Sequence, residues 1–537
     1  MYKRRSASHR SCPKPWFRGL AGRGHIVAFG IVALGTLFYS APRIHADDSR
    51  HHPVSFGRAT KSSQPNPQSE EDADFARRRL WLLAGAGTIT GDTGISRFDV
   101  ISVPNSNPRQ DTALMSSVRV SSGSSLTIFT LIDGYDGWEN FSAVSFRLAS
   151  TLLDGLLSVF AKYEPLAEHA EVGTVPHVEP VLEPFDDAIN RKIKDVFVDV
   201  DDSIVHRPFD FTSTPPSKSW VTAALGPALS GSSAIMALYD SEPRKLRIAL
   251  TGNSRAVLGR PARRKNGQKS YEVHVLTSDQ TCDNPAEVAR LRSQHPDEPL
   301  CSDGQVLGCG LTRAFGLAAY KWSREVQERL HREFFGEPPL HDAKSPPYVI
   351  AEPEITSIEV KPGDFLVMAS HGLWDSLTNE EAIGLVGLWL DSGMAVDAGV
   401  TPHSADIISP SDLPVSLGED NTVMYSRWRA EKKFMCIDNN AAAHLARNAL
   451  GGADVSLTAA LLAMEPPRAQ KFRGGINLTS GLCPPAEAEL LKEHVNAGAY
   501  GANLVWHHTF QIGRGTPRLL RDVIPVARQS WDGEGVG

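Results

Sequence analysis

The residues best suited to chemistry in this sequence are Asp133 and Gly134, which end an alternating apolar stretch. The stretch runs from Ser125 to Glu139 and reads SLTIFTLIDGYDGWE, with Leu, Ile, Thr and Ile at every second position from 126 to 132. Such alternation is typical of a β-strand. A carboxylate beside a glycine carbonyl at a strand end is one way of holding a hard divalent cation. A single Asp-Gly pair is more often only a turn, so the hypothesis depends on the residues that follow.

The elements that must position these residues are predicted in blocks of strands and helices. Strands are predicted at 98–103, 231–239, 246–250, 273–276, 354–360 and 365–369, and helices at 76–83, 144–160, 188–204, 285–293, 323–335, 380–389 and 439–450. Thr378-Asn-Glu-Glu381 has the form of a capping box, which predicts the start of the helix at Glu380. Blocks without strict alternation favour an α+β fold, in which helices cover antiparallel sheets.

The composition limits the class of protein. With 537 residues, of which 41% are hydrophobic and 22% charged, the chain can bury one large core or two smaller ones. The formal net charge of −7 gives no general case for nucleic-acid binding. The six cysteines include no Cys-x-x-Cys pair and no framework spacing, so we predict reduced thiols.

Residues 1–46 are predicted to be a mitochondrial targeting leader. They contain eight Lys and Arg residues, and the first acid of the chain is Asp47; this pattern is typical of transit peptides. The apolar run at 26–41 is shorter than the ~20 residues of a comfortable spanning helix, and we interpret it as a short inner-membrane anchor. A secretory signal has a similar layout and stays as the alternative. Residues 47–74 are polar and unperiodic, which predicts a disordered linker.

Seven segments resemble, in order, the landmarks of the type 2C, metal-dependent protein phosphatases. They are Asp133–Trp138, Ser230–Ala234, Gly252–Ala256, Leu276–Gln280, Thr312–Gly316, Ala351–Glu354 and Ala369–Asp375. Residues 284–290 and 440–450 resemble the mitochondrial branch that includes pyruvate dehydrogenase phosphatase. The resemblance implies a β-sandwich of two packed antiparallel sheets flanked by helices. It places a phosphatase-like domain at 75–477, a surface insertion at 393–420 and a divergent tail at 478–537.

The chemistry that the resemblance implies is hydrolysis of phosphoserine or phosphothreonine with two Mg²⁺ or Mn²⁺ ions at one end of the sandwich. The cations activate a water for in-line attack on phosphorus. The candidate metal ligands are Asp133, Gly134 through its carbonyl, Asp111, Asp375 and, for a softer ion, His371. Arg109 is the candidate phosphate-binding residue. The implied partner is a phosphoprotein, such as the pyruvate dehydrogenase complex.

Several positions where the family has an acid carry another residue here. These positions are Gln110, Asn253, Leu317 and His371. For the last ligand, topology matches Gly475, and Asp420 is the alternative. Residues after 478 lack the pattern of the family's closing strand, which suggests a divergent or mis-spliced end. Losing three or four charges weakens cation binding by several kcal/mol, at roughly 1.5–3 kcal/mol for each charged contact.

Two functional hypotheses therefore stay open. The first is a mitochondrial serine/threonine phosphatase, which the ordered landmarks and the leader favour. The second is a pseudophosphatase of the same fold, which binds a phosphoprotein or regulates an active relative, and which the missing acids favour. Arg255 and Arg313 are expected to tie loops together and not to contact substrate.

Overall fold

Two antiparallel sheets packed face to face form the centre of the protein in this computed structural model. The structure describes residues 28–33, 67–88, 94–106, 111–120, 123–135, 137, 139–172, 183–207, 217–393 and 407–482. These residues all belong to one compact unit, which ends before Glu487.

In the described ranges the strands alternate with short connections and, at five places, with one or more helices longer than two turns. The strands are β1 (Ala28–Ala33), β2 (Ala84–Thr88), β3 (Arg97–Val103), β4 (Asp111–Arg119), β5 (Ser125–Tyr135), β6 (Gly231–Asp240), β7 (Lys245–Thr251), β8 (Arg255–Arg263), β9 (Lys269–Val275), β10 (Cys301–Ser302), β11 (Gln305–Val306), β12 (Phe315–Gly316), β13 (Glu354–Glu359), β14 (Phe365–Ala369) and β15 (Ile476–Leu482).

The helices precede, connect and follow these strands. They are α1 (Pro67–Leu83), α2 (Glu139–Val172), α3 (Phe185–Val205), α4 (Lys218–Leu229), α5 (Pro285–Gln294), α6 (Arg324–Glu333), α7 (His371–Trp374), α8 (Asn379–Asp391), α9 (Met424–Trp428), α10 (Ala441–Ala449), α11 (Val455–Ala463) and α12 (Arg468–Phe472). Short 3₁₀ turns lie at Ala318–Tyr320 and Pro410–Asp412.

The pairing of the strands confirms the predicted α+β sandwich. Sheet A has the order β1-β4-β5-β6-β7-β13, with β12 pairing to β6, and sheet B has the order β2-β3-β15-β14-β8-β9. Every pairing within the two sheets is antiparallel. Strands β10 and β11 form a separate small hairpin.

Strand β5 is buried on both faces because it lies in the middle of sheet A between two cores. Leu126 and Ile128 pack in the core that sheet A shares with α2, α3 and α4. Phe129 and Leu131 point the other way, into the core between the two sheets. Since side chains alternate along a strand, Asp133 lies on the same face as Phe129 and Leu131. The strand therefore delivers its carboxylate to the end of the space between the sheets.

Helix α8 begins as the sequence predicts, at a capping box. The Thr378 hydroxyl accepts from the backbone N–H of Glu381, and the Glu381 carboxylate accepts from the backbone N–H of Thr378. Together with α10, α8 covers the outer face of sheet B, where Trp389 and Leu445 are fully buried. This packing holds sheet B in place, and β14 of that sheet leads directly into the candidate site.

The last described strand corrects one prediction. Residues 478–482 were predicted to belong to a divergent tail, but they form β15 with Ile476, and β15 pairs with both β3 and β14. Ile476 and Leu478 are fully buried in the core below sheet B. The short sequence has little strand pattern of its own, and the two free edges on either side of it supply the hydrogen-bond partners that fix it as a strand.

The amino-terminal predictions are modified as well. Within the predicted anchor at 26–41, residues Ala28–Ala33 form an edge strand on β4, so this part of the run is not a spanning helix. The leader residues on either side lie outside the described ranges. Helix α1 begins at Pro67, inside the predicted linker 47–74. Within the described ranges one helical stretch, Glu139–Tyr163, is long and apolar enough to cross a membrane, but its Leu148 and Leu152 are part of the core on sheet A.

Two further expectations differ from the structure. In the predicted surface insertion at 393–420, Leu413 and Val415 are buried, and the Pro414 carbonyl accepts from the N–H of Tyr271 in the edge strand β9. The thiols were predicted to be reduced, but Cys282 and Cys301 form a disulfide. Both differences arise from contacts between segments that are distant in sequence or separated by a loop.

His444 provides a pH test of the packing between α10 and α8. Its buried ring donates from Nε2 to the Leu385 carbonyl, and its Nδ1 accepts from Asn448. Burial lowers the pKa of His444 from 6.5 to about 4, against the opposing charge of Asp438. Between these two values the unfolded chain holds a proton that the folded chain does not, so lowering the pH favours unfolding.

We predict that the free energy of unfolding falls by about 2–3 kcal/mol from this group alone between neutral pH and the acid end of that window. The measurement is denaturant unfolding of the wild type and His444→Gln across the window. The stability advantage of the wild type over the variant is expected to shrink as the pH falls. A difference that stays constant with pH would contradict a neutral, buried His444.

Candidate functional site

The candidate site is built around a contact between the two sheets. Asp133 lies near the end of β5 in sheet A, and His371 opens α7 directly after β14 in sheet B. His371 Nδ1 donates to Asp133 Oδ2 at 3.0 Å. The Asp133 side chain is 13% exposed and that of His371 is 43% exposed. The contact closes one end of the sandwich and is open to solvent on one side.

The charge on His371 follows from its neighbours. Partial burial alone would lower the pKa of His371, but the hydrogen bond and charge of Asp133, followed by the charges of Asp375 and Asp279, raise it from 6.5 to about 9. The ring is therefore an imidazolium at neutral pH, and the contact with Asp133 is an ion pair. A positive charge belonging to the chain lies against the carboxylate.

Three other predicted residues lie beside this pair. Asp111, at the start of β4, is the Cα partner of Asp133 in the β4–β5 register and accepts from the Ser102 hydroxyl at 3.4 Å. Gly134 is the next residue of β5 and pairs with Ser232. Asp375 caps the carboxyl end of α7, and its charge contributes to the raised pKa of His371. The structure thus brings Asp111, Asp133, His371 and Asp375 into one region.

A chain of neutral hydrogen bonds runs along the other side of Asp133. The Tyr135 hydroxyl and the Ser233 hydroxyl lie 2.9 Å apart, and Ser233 donates to Asn253 Oδ1 at 3.3 Å. Ser233 is also the Cα partner of Asp133. The amide at position 253 therefore serves as an acceptor for a hydroxyl. Tyr135 and Ser233 were not singled out from the sequence, although strand alternation places Tyr135 on the face of Asp133.

Leu317 closes the wall next to Tyr135. A Cβ atom on Gly231 would lie 2.7 Å from both Leu317 Cγ and Tyr135 Cε2, so only glycine lets these two side chains approach β6 so closely. Leu317 belongs to a buried apolar cluster against which Tyr135 packs. The position where the family often has an acid is thus part of a small hydrophobic core.

The structure distinguishes between the two candidates for the last ligand position. Gly475 directly precedes β15, and a Cβ on Gly372 would lie 2.1 Å from the Gly475 carbonyl oxygen. Gly475 therefore lies against α7, next to His371. Asp420 instead accepts from Lys432 Nζ at 2.8 Å and from the Thr422 hydroxyl at 2.7 Å. Topology and contacts both place Gly475, which has no side chain, at the end of the sandwich.

The predicted loop-tying arginines are confirmed in that role. Arg255 donates two hydrogen bonds of 2.7 Å to Asp279, and Arg313 donates to Glu287 Oε1 at 2.6 Å. Glu287 is buried; burial would raise its pKa, but the hydrogen bonds from Arg313, Arg290 and Thr312 lower it to about 2. Both arginines are therefore committed to partners within the protein. Arg109, the candidate phosphate-binding residue, and Gln110 lie outside the described residues.

Comparison with known proteins shows which family this chain is related to. The sequence profile of the protein phosphatase 2C family matches residues 201–405. A protein phosphatase 2C homologue of Schizosaccharomyces pombe is 34% identical over 412 residues, which cover 76% of this chain and 84% of the relative. This chain belongs to the protein phosphatase 2C family.

Further relatives match different shares of the chain. The mitochondrial pyruvate dehydrogenase (acetyl-transferring) phosphatase 1 of Saccharomyces cerevisiae is 30% identical over 419 residues, covering 72% of this chain and 68% of that protein. The bovine mitochondrial phosphatase 1 is 33% identical over 239 residues, covering 42% of this chain and 41% of that protein. A solved serine-threonine phosphatase 2C of Toxoplasma gondii aligns with a TM-score of 0.40 and 13% identity over 74% of this chain and 98% of that chain.

The donors of this chain do not fit the two Mg²⁺ or Mn²⁺ ions on which the protein phosphatase 2C family generally depends. Within the described ranges no group of three or more His, Cys, Asp and Glu side chains is arranged to hold a metal ion. Asp133 Oδ2 accepts from an imidazolium, Asn253 accepts from Ser233, and Gly475 has no side-chain donor. A cation beside Asp133 would have to displace His371 and meet its charge.

The ion pair can be tested directly in this family member. We predict that NMR titration of the wild type, free of divalent cations, gives a pKa for His371 of about 9, and that Asp133→Asn lowers it toward the 6.5 of an ordinary histidine because the main opposing charge is lost. The spectrum of His371→Asn assigns the resonance. A wild-type value at or below that of an ordinary histidine would show that the pair does not form in solution.

Proposed function

We propose that this protein phosphatase 2C family member is directed at phosphoserine- and phosphothreonine-containing proteins of mitochondria and binds or regulates them with little hydrolysis of its own. It is, on this proposal, a pseudophosphatase of the branch that includes the pyruvate dehydrogenase phosphatases. The pyruvate dehydrogenase complex is the leading candidate for its partner.

One observation carries the proposal of impaired catalysis. His371 occupies the position where the family resemblance implies a carboxylate. Its imidazolium donates to Asp133 at 3.0 Å. Replacing a carboxylate by an imidazolium removes one negative charge and adds one positive charge beside the remaining acid. Both changes oppose the binding of a divalent cation, because hard cations need several anionic oxygen ligands. Without that cation, the hydrolysis expected of the family lacks its means of activating water.

Two observations support the mitochondrial and phosphoprotein parts of the proposal. The first 46 residues are basic and free of acids, and the Saccharomyces cerevisiae relative that matches 72% of this chain is a mitochondrial pyruvate dehydrogenase phosphatase. The shared length extends well beyond the acids of the site. The surface that recognises a protein partner is therefore expected to be retained even where the ligands are not.

Phosphatase activity is the second candidate, and specific residues favour it. Asp111 and Asp133 are still adjacent on neighbouring strands, and Gly134 and Asp375 are present beside them. These groups are the core of the ligand set that the resemblance implies. Activity would require that a cation displace His371 from Asp133.

Hydrolysis of p-nitrophenyl phosphate with excess Mg²⁺ and Mn²⁺ separates the two candidates. We predict that wild-type turnover is no higher than that of Asp133→Ala, because Asp133 is already neutralised by His371. Turnover well above this control, and dependent on the cation, would establish the phosphatase and remove the pseudophosphatase.

A reversion series tests the cause of the impairment. We predict that His371→Asp is less stable than the wild type in chelator, since two carboxylates then face each other without a counter-charge, and that Mn²⁺ raises its melting temperature. Adding Gln110→Glu, Asn253→Asp and Gly475→Asp is expected to raise Mn²⁺ affinity in calorimetry by roughly 10-fold or more for each restored charged contact. His371→Asn is the matched control, which removes the positive charge without restoring an acid and is expected to show a smaller rise of melting temperature with Mn²⁺ than His371→Asp. Equal Mn²⁺ responses in the wild type and His371→Asp would contradict this explanation.

The partner is tested with purified pyruvate dehydrogenase complex in its phosphorylated and dephosphorylated forms. We predict that the wild type binds the phosphorylated complex more tightly in surface plasmon resonance, and that Asp133→Ala retains binding because recognition extends beyond the site. Equal and weak binding to both forms would remove this complex as the partner.

A further inference from the structure

The Cys282–Cys301 disulfide joins two segments that form the wall of the candidate site. Cys282 ends the segment 277–282, and Cys301 begins the β10–β11 hairpin, 19 residues later in the chain. Both cysteines are half-buried and pack against one apolar cluster, to which Leu317 belongs and against which Tyr135 packs. The bond is therefore partly exposed to solvent and packs against the same apolar cluster as residues that line the site.

The segment before Cys282 holds the turn that carries Asn253. The N–H of Gly252 donates to Gln280 Oε1 at 2.7 Å, and the N–H of Gln280 donates to the Gly252 carbonyl at 3.1 Å. One residue earlier, Asp279 accepts both hydrogen bonds of Arg255. The position of this turn, and of the Asn253 amide that accepts from Ser233, depends on where the segment lies.

The segment after Cys301 leads into the other side of the wall. The hairpin is followed by Thr312, whose N–H donates to the Gln280 carbonyl at 2.9 Å, so the two segments meet a second time at Gln280. From Thr312 the chain continues to Leu317, which covers Gly231 together with Tyr135. The disulfide thus closes the loop 282–301, and Gln280 just before this loop is hydrogen-bonded to Thr312 beyond it.

We propose that this disulfide is a thiol-sensitive latch on the wall of the candidate site, defined as segments 277–282 and 300–317. A protein dithiol is the reductant: its thiolate attacks one sulfur to give a mixed disulfide, and its second thiol resolves that bond. Two electrons and two protons pass to Cys282 and Cys301, which become thiols, and the reductant becomes a disulfide. With the latch open, hydrogen bonds and apolar packing alone hold the hairpin against segment 277–282.

Two physical arguments favour a reducible, regulatory disulfide over a permanently oxidised, structural one. Disulfides in reducing compartments are usually redox-sensing or catalytic, and the compartment proposed for this protein contains thiol reductants. The bond also closes a short loop, residues 282–301, so its loss releases conformational freedom mainly in that loop and in the hairpin attached to its end. The proposal does not depend on whether the protein hydrolyses phosphate.

Hydrogen exchange of the full chain, with and without a dithiol reductant, tests the latch. We predict that reduction speeds exchange of amides at 300–311 by about tenfold or more, because the hairpin at the end of the closed loop then loses its covalent link to segment 277–282. A smaller, severalfold increase is expected at the Gly252 amide, which is held by Gln280. Cys282→Ser/Cys301→Ser is expected to exchange at the faster rates under both conditions, whereas Cys436→Ser, in another part of the fold, responds like the wild type.

Two results would overturn the proposal. Alkylation of the unreduced native protein could find Cys282 and Cys301 as free thiols, in which case there is no latch. Alternatively, reduction could change exchange only within 300–311 and leave the Gly252 amide unaltered, which would make the bond a local staple without influence on the site. If the double variant does not fold, the reduction and reoxidation of the wild type alone still decide between these outcomes.

Discussion

The ion pair between Asp133 and His371 is the interaction on which the end of the sandwich depends. Asp111 and Asp133 are neighbours on adjacent strands, and two carboxylates this close need positive charge beside them. In a metal-dependent relative that charge is supplied by bound cations. Here the chain supplies it itself, through an imidazolium that comes from the opposite sheet.

The residues around the pair have changed in a consistent way. The positions that lack the expected acid make other contacts: Asn253 accepts from Ser233, Leu317 packs against Tyr135, and the Gly475 backbone lies against Gly372. None of these three contacts leaves a charge without a partner. The site is therefore a stable arrangement in its own right, and restoring a single acid would introduce an uncompensated charge.

Sequence was sufficient where the signals are local. The alternation of β5 and the capping box of α8 are encoded within a few residues, and the structure contains both. The grouping of Asp133 with His371 followed from the order of the family landmarks. Sequence could not predict that these two side chains bond to each other, because that contact depends on how closely the ends of two sheets approach.

The failures of prediction also have a physical pattern. Strand β15 is fixed by its two neighbours, residues 413–415 are buried because they cover the edge of β9, and the disulfide depends on the path of the loop between its cysteines. In each case the partner is a segment that the local sequence does not specify. Tertiary contacts outweighed weak local propensity.

The place of β15 in sheet B has a consequence for the order in which the protein acquires its structure. Because β15 lies between β3 and β14, the sheet remains in two unconnected halves until the segment at 476–482 has been synthesised. Pairing across so much of the chain is slow, since a long loop must close before the contacts stabilise it. A nascent polypeptide would thus leave sheet B open until this segment has been synthesised, and in that state it could still be threaded through a translocation channel.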